Sequence, residues 1–378
     1  MDIIRKLMGW LINWVYSLLP VQKKVVFVNF AGRGFGDNPK YIAKEILHQS
    51  LPYDLVWLTY NMNNQFPKGI RKVRFYSLKS RYELATARII ISNTKGRLPY
   101  RKKRSQYYIQ TWHGGFGVKF IEKDIEQYLP AKYIQDSKYD SSITDLILSG
   151  SEFQTDVIQK SFWYEGEIFK KGVPRNDIFY NCTSEKVSRL KSEYGFDTNC
   201  KIATYAPTFR DDKRIDAYQL DVIRLLEVLR NKTNCQWKLI VRLHPIISES
   251  NELFDYSCDV INGSTFDDAQ EVLLISDLLI TDFSSMMMDF SIMKRPVFLF
   301  ITDLDEYVNK SRGIRPLFYK LPFTLSQSNE ELCQAISSFK DDAYQKSLSM
   351  FMDQYYQSYD DGHASEYVVE RIKEKMIY

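Results

Sequence analysis

The chain has 378 residues, enough for two domains with buried cores, and its 51 basic and 47 acidic residues leave a net charge of only +4. So small an excess excludes a polycationic nucleic-acid binder, and any anion site has to be local. The five cysteines, Cys182, Cys200, Cys235, Cys258 and Cys333, form no CxxC pair, and with only four scattered histidines they argue for a reducing compartment and against a structural zinc site.

Residues 3–19 open the chain with Ile4, Leu7, Met8, Leu11, Trp14, Val15 and Leu18 at helical spacing. Arg5, Lys6 and Asn13 make the run a poor spanning helix. Trp10 and Trp14 beside flanking bases suit an amphipathic helix lying in a membrane interface, although the same apolar face would also pack on the protein's own core. Lys24–Phe30 reads as a strand, followed by a turn holding Gly32, Gly34 and Gly36 and then Asp37-Asn38 before a helix over Tyr41–Leu47. The glycine spacing is GxGxG, not GxGxxG, so it is a weak dinucleotide signal. Gly32, Gly34, Asp37 and Asn38 remain candidates for an acceptor side. Further strands over Leu55–Thr59, Val73–Tyr76 and Arg88–Ser92 alternate with helical stretches, which argues for a parallel sheet.

The densest basic cluster is Arg97 to Arg104, and its Arg101, Lys102, Lys103 and Arg104 suit an anionic substrate or lipid headgroup. A strand over Tyr107–Thr111 then ends in Trp112-His113-Gly114-Gly115. A lone histidine is more often structural, but at the carboxyl edge of a strand its imidazole can face a ligand and act as a base. Asp145–Gly150 is another strand, and the polar stretch Asn181–Asn199 is the expected boundary. The second half restarts with a strand over Lys201–Tyr205, a polar turn through Thr208 and Arg210, and a helix over residues 216–230. Trp237–Leu243 is a strand that places His244 just past its end, as His113 is placed in the first half.

A helix over Asp267–Leu274 leads into the stretch that organises this half. Leu278–Ile280 forms a buried strand, Asp282 to Ser285 a tight turn, Met286 onward a short helix, and Pro296 starts another strand. The hydroxyls of Ser284 and Ser285 then converge with helix amides beyond the carboxyl end of a strand, where open α/β sheets bind ligands. Ser284 would serve equally as an ordinary helix cap. The tail, roughly 330–376, is helical with a break at Asp360–Ser365.

Taken together, DNPKYI (Asp37–Ile42), QTWHGG (Gln110–Gly115), GVPRND (Gly172–Asp177), YAPTFRDD (Tyr205–Asp212), RLHP (Arg242–Pro245), SDLLITDFSSMMMDF (Ser276–Phe290), DLDEY (Asp303–Tyr307) with Arg312-Gly313, and DGHAS (Asp361–Ser365) resemble the CDP-glycerol glycerophosphotransferases of teichoic acid synthesis. The chain departs from that pattern at Gly114-Gly115, where the family often has HGT, and at Ile314-Arg315, where an aromatic pair is common. The resemblance implies two Rossmann-like domains facing a cleft, glycosyltransferase-B-like, with no cofactor and no metal. It implies His113 as general base and His244 as a second essential histidine on the donor phosphate. Thr208, Arg210, Asp282, Ser284, Ser285 and Arg312 fall on the donor side.

The expected layout is a membrane-associating helix over 1–20, an acceptor domain over 21–190 carrying the base, a donor domain over 191–350, and a helical segment over 351–378 that packs back on both. The expected partners are CDP-glycerol, or CDP-ribitol, a lipid-linked glycan acceptor, and an anionic membrane on whose cytoplasmic face the protein sits peripherally, with room for a homo-oligomer and no nucleic acid. A sugar-nucleotide glycosyltransferase and a catalytically silent nucleotide-binding protein are the competing readings. The lack of a large extra N-terminal region favours a primase or single-addition enzyme.

Overall fold

The computed structural model describes residues 14–115, 117–210, 215–243, 253–310 and 313–377. Residues 3–13 of the expected amphipathic helix, with Trp10, and the site candidates His244 and Arg312 lie outside them. The chain forms two compact units. One comprises Met1–His113, Glu126–Asp177 and Tyr359–Tyr378; the other comprises Gly114–Ile125 and Ile178–Ser358.

The first unit is built on a seven-stranded sheet ordered β3-β2-β1-β4-β5-β6-β7. Its strands are β1 (Gln22–Val28), β2 (Asp54–Thr59), β3 (Ile70–Arg74), β4 (Ala87–Ser92), β5 (Tyr107–Gln110), β6 (Leu146–Ser149) and β7 (Glu167–Lys170), all paired in parallel. Both faces of such a sheet have to be covered, and the sequence supplies apolar residues without alternation: Val25–Phe27 and Ile89–Ile91 are fully buried. Val25, Phe27, Trp57 and Ile91 meet Ile42 and Ile46 of the helix Asp37–His48 and Val368, Val369 and Ile372 of the helix Ala364–Met376. Val26, Val56 and Ile90 point the other way, against Leu84, Ala85 and Tyr100. The tail helix is locked in place at its start, where the Asp177 carboxylate accepts from the backbone N–H groups of Ala364 and Ser365 at 3.0 and 2.7 Å.

The second unit holds a six-stranded sheet ordered β10-β9-β8-β11-β12-β13. Its strands are β8 (Lys201–Ala206), β9 (Trp237–Val241), β10 (Val260–Asn262), β11 (Leu278–Thr281), β12 (Val297–Phe300) and β13 (Thr324–Ser326), again all parallel. Tyr205, Leu225, Leu229, Leu239, Ile280 and Phe298 lie at the centre of its core. The polar stretch after residue 181 carries the helix Ser184–Glu193, whose first turn is capped by the Thr183 hydroxyl and whose Leu190 is buried.

In each sheet the winding reverses once. The chain runs β1-β2-β3 to one side and returns with β4 beside β1; in the second unit it runs β8-β9-β10 and returns with β11 beside β8. Such reversals open a crevice at the carboxyl ends of the two strands concerned, because their connections leave in opposite directions. Among the described residues no helix is long and apolar enough to cross a membrane.

Candidate active site

In the first unit, the reversal point is closed by a small polar lattice. Asn29 follows β1 and Asn93 follows β4; the Asn93 amide donates to Asn29 Oδ1 at 2.9 Å and its Oδ1 accepts from Phe30 N at 2.7 Å. His113, three residues beyond the end of neighbouring β5, places its Nδ1 2.7 Å from the Asn93 carbonyl oxygen. A carbonyl only accepts, so Nδ1 carries the proton and the neutral ring keeps its lone pair on Nε2. The ring is half-buried, edge-on to Phe30 with centroids 5.5 Å apart and 4.5 Å from the Trp112 ring.

The backbone of this turn is gripped from three sides. Trp112 sits at φ 53°, a left-handed conformation that costs a non-glycine residue roughly 1–3 kcal/mol and persists only when its surroundings hold it. Its N–H donates to Gln110 Oε1 at 3.0 Å and its carbonyl accepts from Asn38 Nδ2 at 3.2 Å. The His113 carbonyl accepts from Arg175 Nη1 at 2.6 Å, and that guanidinium also lies 3.3 Å from Asp37 Oδ2. Arg175 is itself held by Asn38, whose Oδ1 accepts from the Arg175 N–H at 3.0 Å, and is among the largest fully buried side chains. Asp37 and Asn38, expected to face an acceptor, are buried here and brace the turn that carries the histidine.

In the second unit, the turns leaving β8 and β11 are joined at the reversal point. Asp282, fully buried, accepts from Thr208 N at 2.9 and 3.0 Å through its two oxygens, from the Thr208 hydroxyl at 3.1 Å and from Phe283 N at 2.6 Å. Arg210 Nη1 donates to Asp282 at 2.8 Å, while its Nε and Nη2 form a two-pronged pair with Asp303 at 2.8 and 2.9 Å. Burial works against the Arg210 charge, but Asp282 and Asp303 outweigh it and push its pKa further up. The guanidinium also lies over the stacked rings of Phe283 and Tyr307, 5.5 and 5.1 Å from their centroids.

Arg210, Asp282 and Thr208, the expected donor ligands, are hydrogen-bonded to one another, and Arg210 also to Asp303. Arg210 and Asp282 are buried, whereas Thr208, Ser284 and Ser285 are half-exposed. Ser284 does not cap the following helix in the usual way: the cap position is Ser285, without a side-chain cap bond, and Ser284 Oγ accepts from Met286 N at 3.3 Å.

In the glycine turn, Gly32 has φ 94° and a Cβ there would meet Phe75 at 2.8 Å, so its missing side chain admits a phenyl ring of its own unit rather than a ligand. The carbonyl of Gly34 accepts from Trp57 Nε1 at 3.2 Å. In the basic cluster, Lys102 pairs with Asp145 at 2.6 Å and Lys103 Nζ donates to the Leu19 and Ala85 carbonyls at 2.5 and 2.7 Å; only Arg101 and Arg104 face outward. Trp14 is 52% exposed. Among the described residues no group of three or more His, Cys, Asp or Glu side chains is placed to hold a metal ion. Sequence reasoning did not single out Asn93, Asn29, Gln110, Arg175 or Asp303. The last three stand inside the QTWHGG, GVPRND and DLDEY motifs, which was the available signal.

Residues 12–374 match the family described as CDP-glycerol:poly(glycerophosphate) glycerophosphotransferase. The chain belongs to that family. It is a glycerophosphotransferase that uses CDP-glycerol as donor. Over 371 residues it is 29% identical to a teichoic acid poly(glycerol phosphate) polymerase of Bacillus spizizenii, covering 95% of this chain and 94% of that protein. The corresponding polymerase of Bacillus subtilis is 30% identical over 94% of this chain, which spans about half of that longer protein's length, 49%. A solved structure of the wall teichoic acid polymerase TagF superposes with a TM-score of 0.86 at 28% identity, covering 99% of this chain and 95% of that one. Since a polymerase of nearly equal length is among the relatives, the length of this glycerophosphotransferase carries no argument for single addition.

Proposed function

We propose that this glycerophosphotransferase extends a lipid-linked glycan or teichoic acid acceptor, with His113 as the base and Ser284 and Ser285 holding the donor diphosphate. The acceptor hydroxyl oxygen attacks the phosphorus that carries the glycerol, the bond to the CMP oxygen breaks, and the hydroxyl proton passes to His113 Nε2. Such a transfer demands placement and charge stabilisation more than covalent help. Seryl hydroxyls at the reversal point of the second sheet suit the diphosphate oxygens. His244, Arg312 and Trp10 enter this reading from the sequence alone, and the pair of parallel α/β units is read as glycosyltransferase-B-like.

The protein is read as peripheral on the cytoplasmic membrane face. Residues 14–18 expose Trp14, Val15 and Leu18, and Tyr16 donates to the Leu78 carbonyl at 3.2 Å, beside the exposed Tyr76 and Leu78 and the exposed cations Arg74 and Lys79. Apolar side chains with basic neighbours suit an anionic interface. This patch takes over the part expected of Arg101–Arg104, two of whose four cations are occupied internally.

The observation that carries the catalytic reading is the 2.7 Å contact of His113 Nδ1 with the Asn93 carbonyl, because it fixes the tautomer a base needs. Replacement His113→Ala is expected to slow CMP release by roughly 10²- to 10⁴-fold, with CDP-glycerol affinity by calorimetry kept. Turnover within a few-fold of the parent would remove His113 from that role.

A further inference from the structure

Behind the histidine turn lies a buried carboxyl group that the reaction as described does not use. Asp140, on the helix Ala131–Ile143, is 1% exposed. Its Oδ1 accepts from the Tyr108 hydroxyl at 2.9 Å and from Gly96 N at 3.1 Å, and its Oδ2 accepts from Gln110 Nε2 at 3.1 Å. Gln110 is equally buried, and its amide is used at both ends: Nε2 also reaches the Thr94 carbonyl at 3.3 Å, while Oε1 receives the Trp112 N–H at 3.0 Å.

We infer that Asp140 is a positioning residue for His113, its ionised carboxylate fixing the Gln110 amide in the orientation that grips the Trp112–His113 turn. This rests on the reading of His113 as the base. The amide has two orientations, and the carboxylate discriminates between them. As found, Nε2 faces two acceptors and Oε1 faces a donor. Turned over, Oε1 would face the carboxylate and the Thr94 carbonyl, and Nε2 would face the Trp112 N–H, so all three contacts become repulsive. With Asp140 protonated, the carboxylic O–H can donate to Oε1 of the turned amide, and the grip on Trp112 N–H is lost. Trp112 occupies a left-handed conformation and follows Gln110 by two residues, so the loss is transmitted directly to His113.

The titration falls in a useful range. Burial raises the Asp140 pKa to about 6, opposed by Gln110, Tyr108, the Gly96 N–H and the charge of Lys95. The other titratable groups facing this cluster are Tyr108, whose pKa burial and then the Asp140 charge push well up, Tyr139, whose pKa burial also raises, and Lys95. The turn is therefore held firmly at neutral pH and slackens as pH falls through about 6.

The isosteric change Asp140→Asn imitates the protonated state. Misplacing a reacting group by about an ångström costs on the order of 100-fold, so kcat for CMP release should fall about that much while KM for CDP-glycerol stays within about twofold. The acid limb of kcat against pH should be steeper than one proton in the parent and flatten to one proton in the variant. Combining Asp140→Asn with Gln110→Glu reverses the polarity of the pair: the new side-chain amide donates to the new carboxylate, which again accepts from Trp112 N–H. The double variant should recover most of the lost kcat, whereas Gln110→Glu alone, which sets two carboxylates together, should not. A folded Asp140→Asn protein with kcat within twofold of the parent overturns the inference. So does a double variant no faster than Asp140→Asn, or loss in which kcat and melting temperature fall together without rescue. His113→Ala, assayed alongside, reports on the base role separately, because that reading fails only if His113→Ala itself retains turnover.

Discussion

Arg210 separates a scaffold from a ligand, and the structure supplies the magnitude. Its side chain is 3% exposed, and those of Asp282 and Asp303 are 1% and 8% exposed, so solvent screening offers no relief when the pairing is broken. Arg210→Ala removes a cation that both buried carboxylates hold. Asp282 would retain the donors from Thr208 and Phe283, whereas Asp303 would lose both prongs of its pair. Removing one member of a buried pair costs about 3–5 kcal/mol, and in a unit of this size each kcal/mol lowers the melting temperature by roughly 2–4 °C, so a fall on the order of 10 °C is expected. Asp303→Asn, which keeps one acceptor and leaves Arg210 its partner Asp282, should cost less than half as much. Thermal melting read by calorimetry gives the stability term. Titration with CDP-glycerol at a temperature where each variant is folded gives the binding term. If Arg210→Ala melts with the parent and yet fails to bind CDP-glycerol, Arg210 is a phosphate ligand and the clamp assigned to it is wrong.

Ser284→Ala with Ser285→Ala should weaken CDP-glycerol binding with little change in melting, since each hydrogen bond to a charged phosphate is worth about 1.5–3 kcal/mol; unchanged affinity by calorimetry would place the diphosphate elsewhere. Asp140 should lower stability as pH rises: its folded pKa of about 6 lies above the ordinary 3.8, so its favourable contribution is complete below 3.8 and is lost through about 6. At about 1.4 kcal/mol per pH unit this amounts to roughly 3 kcal/mol by neutral pH, and Asp140→Asn should remove that slope from urea titrations run between about pH 4 and 7. Trp14→Ser, Leu18→Ser and Leu78→Ser together should release the protein from anionic vesicles, each buried side chain supplying about 1.5–3 kcal/mol; undiminished sedimentation with vesicles would exclude this patch as the docking face.

The sheets were legible because parallel strands buried on both faces write themselves as unbroken apolar runs, as at Val25–Phe27, Ile89–Ile91 and Leu278–Ile280. Edge strands carry no such run. β7 (Glu-Ile-Phe-Lys), β10 (Val-Ile-Asn) and β13 (Thr-Leu-Ser) have too few buried residues to stand out, and each lies at or beside the margin of its sheet. The helix Ala131–Ile143 buries Ser137, Asp140 and Ser141 instead of an apolar stripe, which hid both the helix and the carboxylate behind His113. The histidine itself was visible from its place after a strand and before two glycines. What held it was not, because Asn93, Asn38, Arg175 and Gln110 come from four separate segments and converge only through the crossover connections of the sheet.

That convergence explains why most polar residues of the motifs are not among those proposed to meet substrate. A polar residue in a recognisable motif can serve the substrate directly or satisfy buried backbone around a strained turn, and the two roles favour the same amino acids. Burial and saturation decide between them. Arg175 and Asp37 lie at 2% and 8% exposure with their groups directed at the His113 turn, and Asp282 sits at 1% with donors from three residues. A group so placed gains little by turning toward a ligand, since it would abandon hydrogen bonds in a medium where leaving them unmade costs about 1–3 kcal/mol apiece. His113, Ser284 and Ser285 are only partly buried and stand at the carboxyl ends of strands beside the winding reversals. In the proposed mechanism, substrate chemistry falls to these few half-exposed side chains, and the charged residues of the motifs keep them where a phosphoryl transfer needs them.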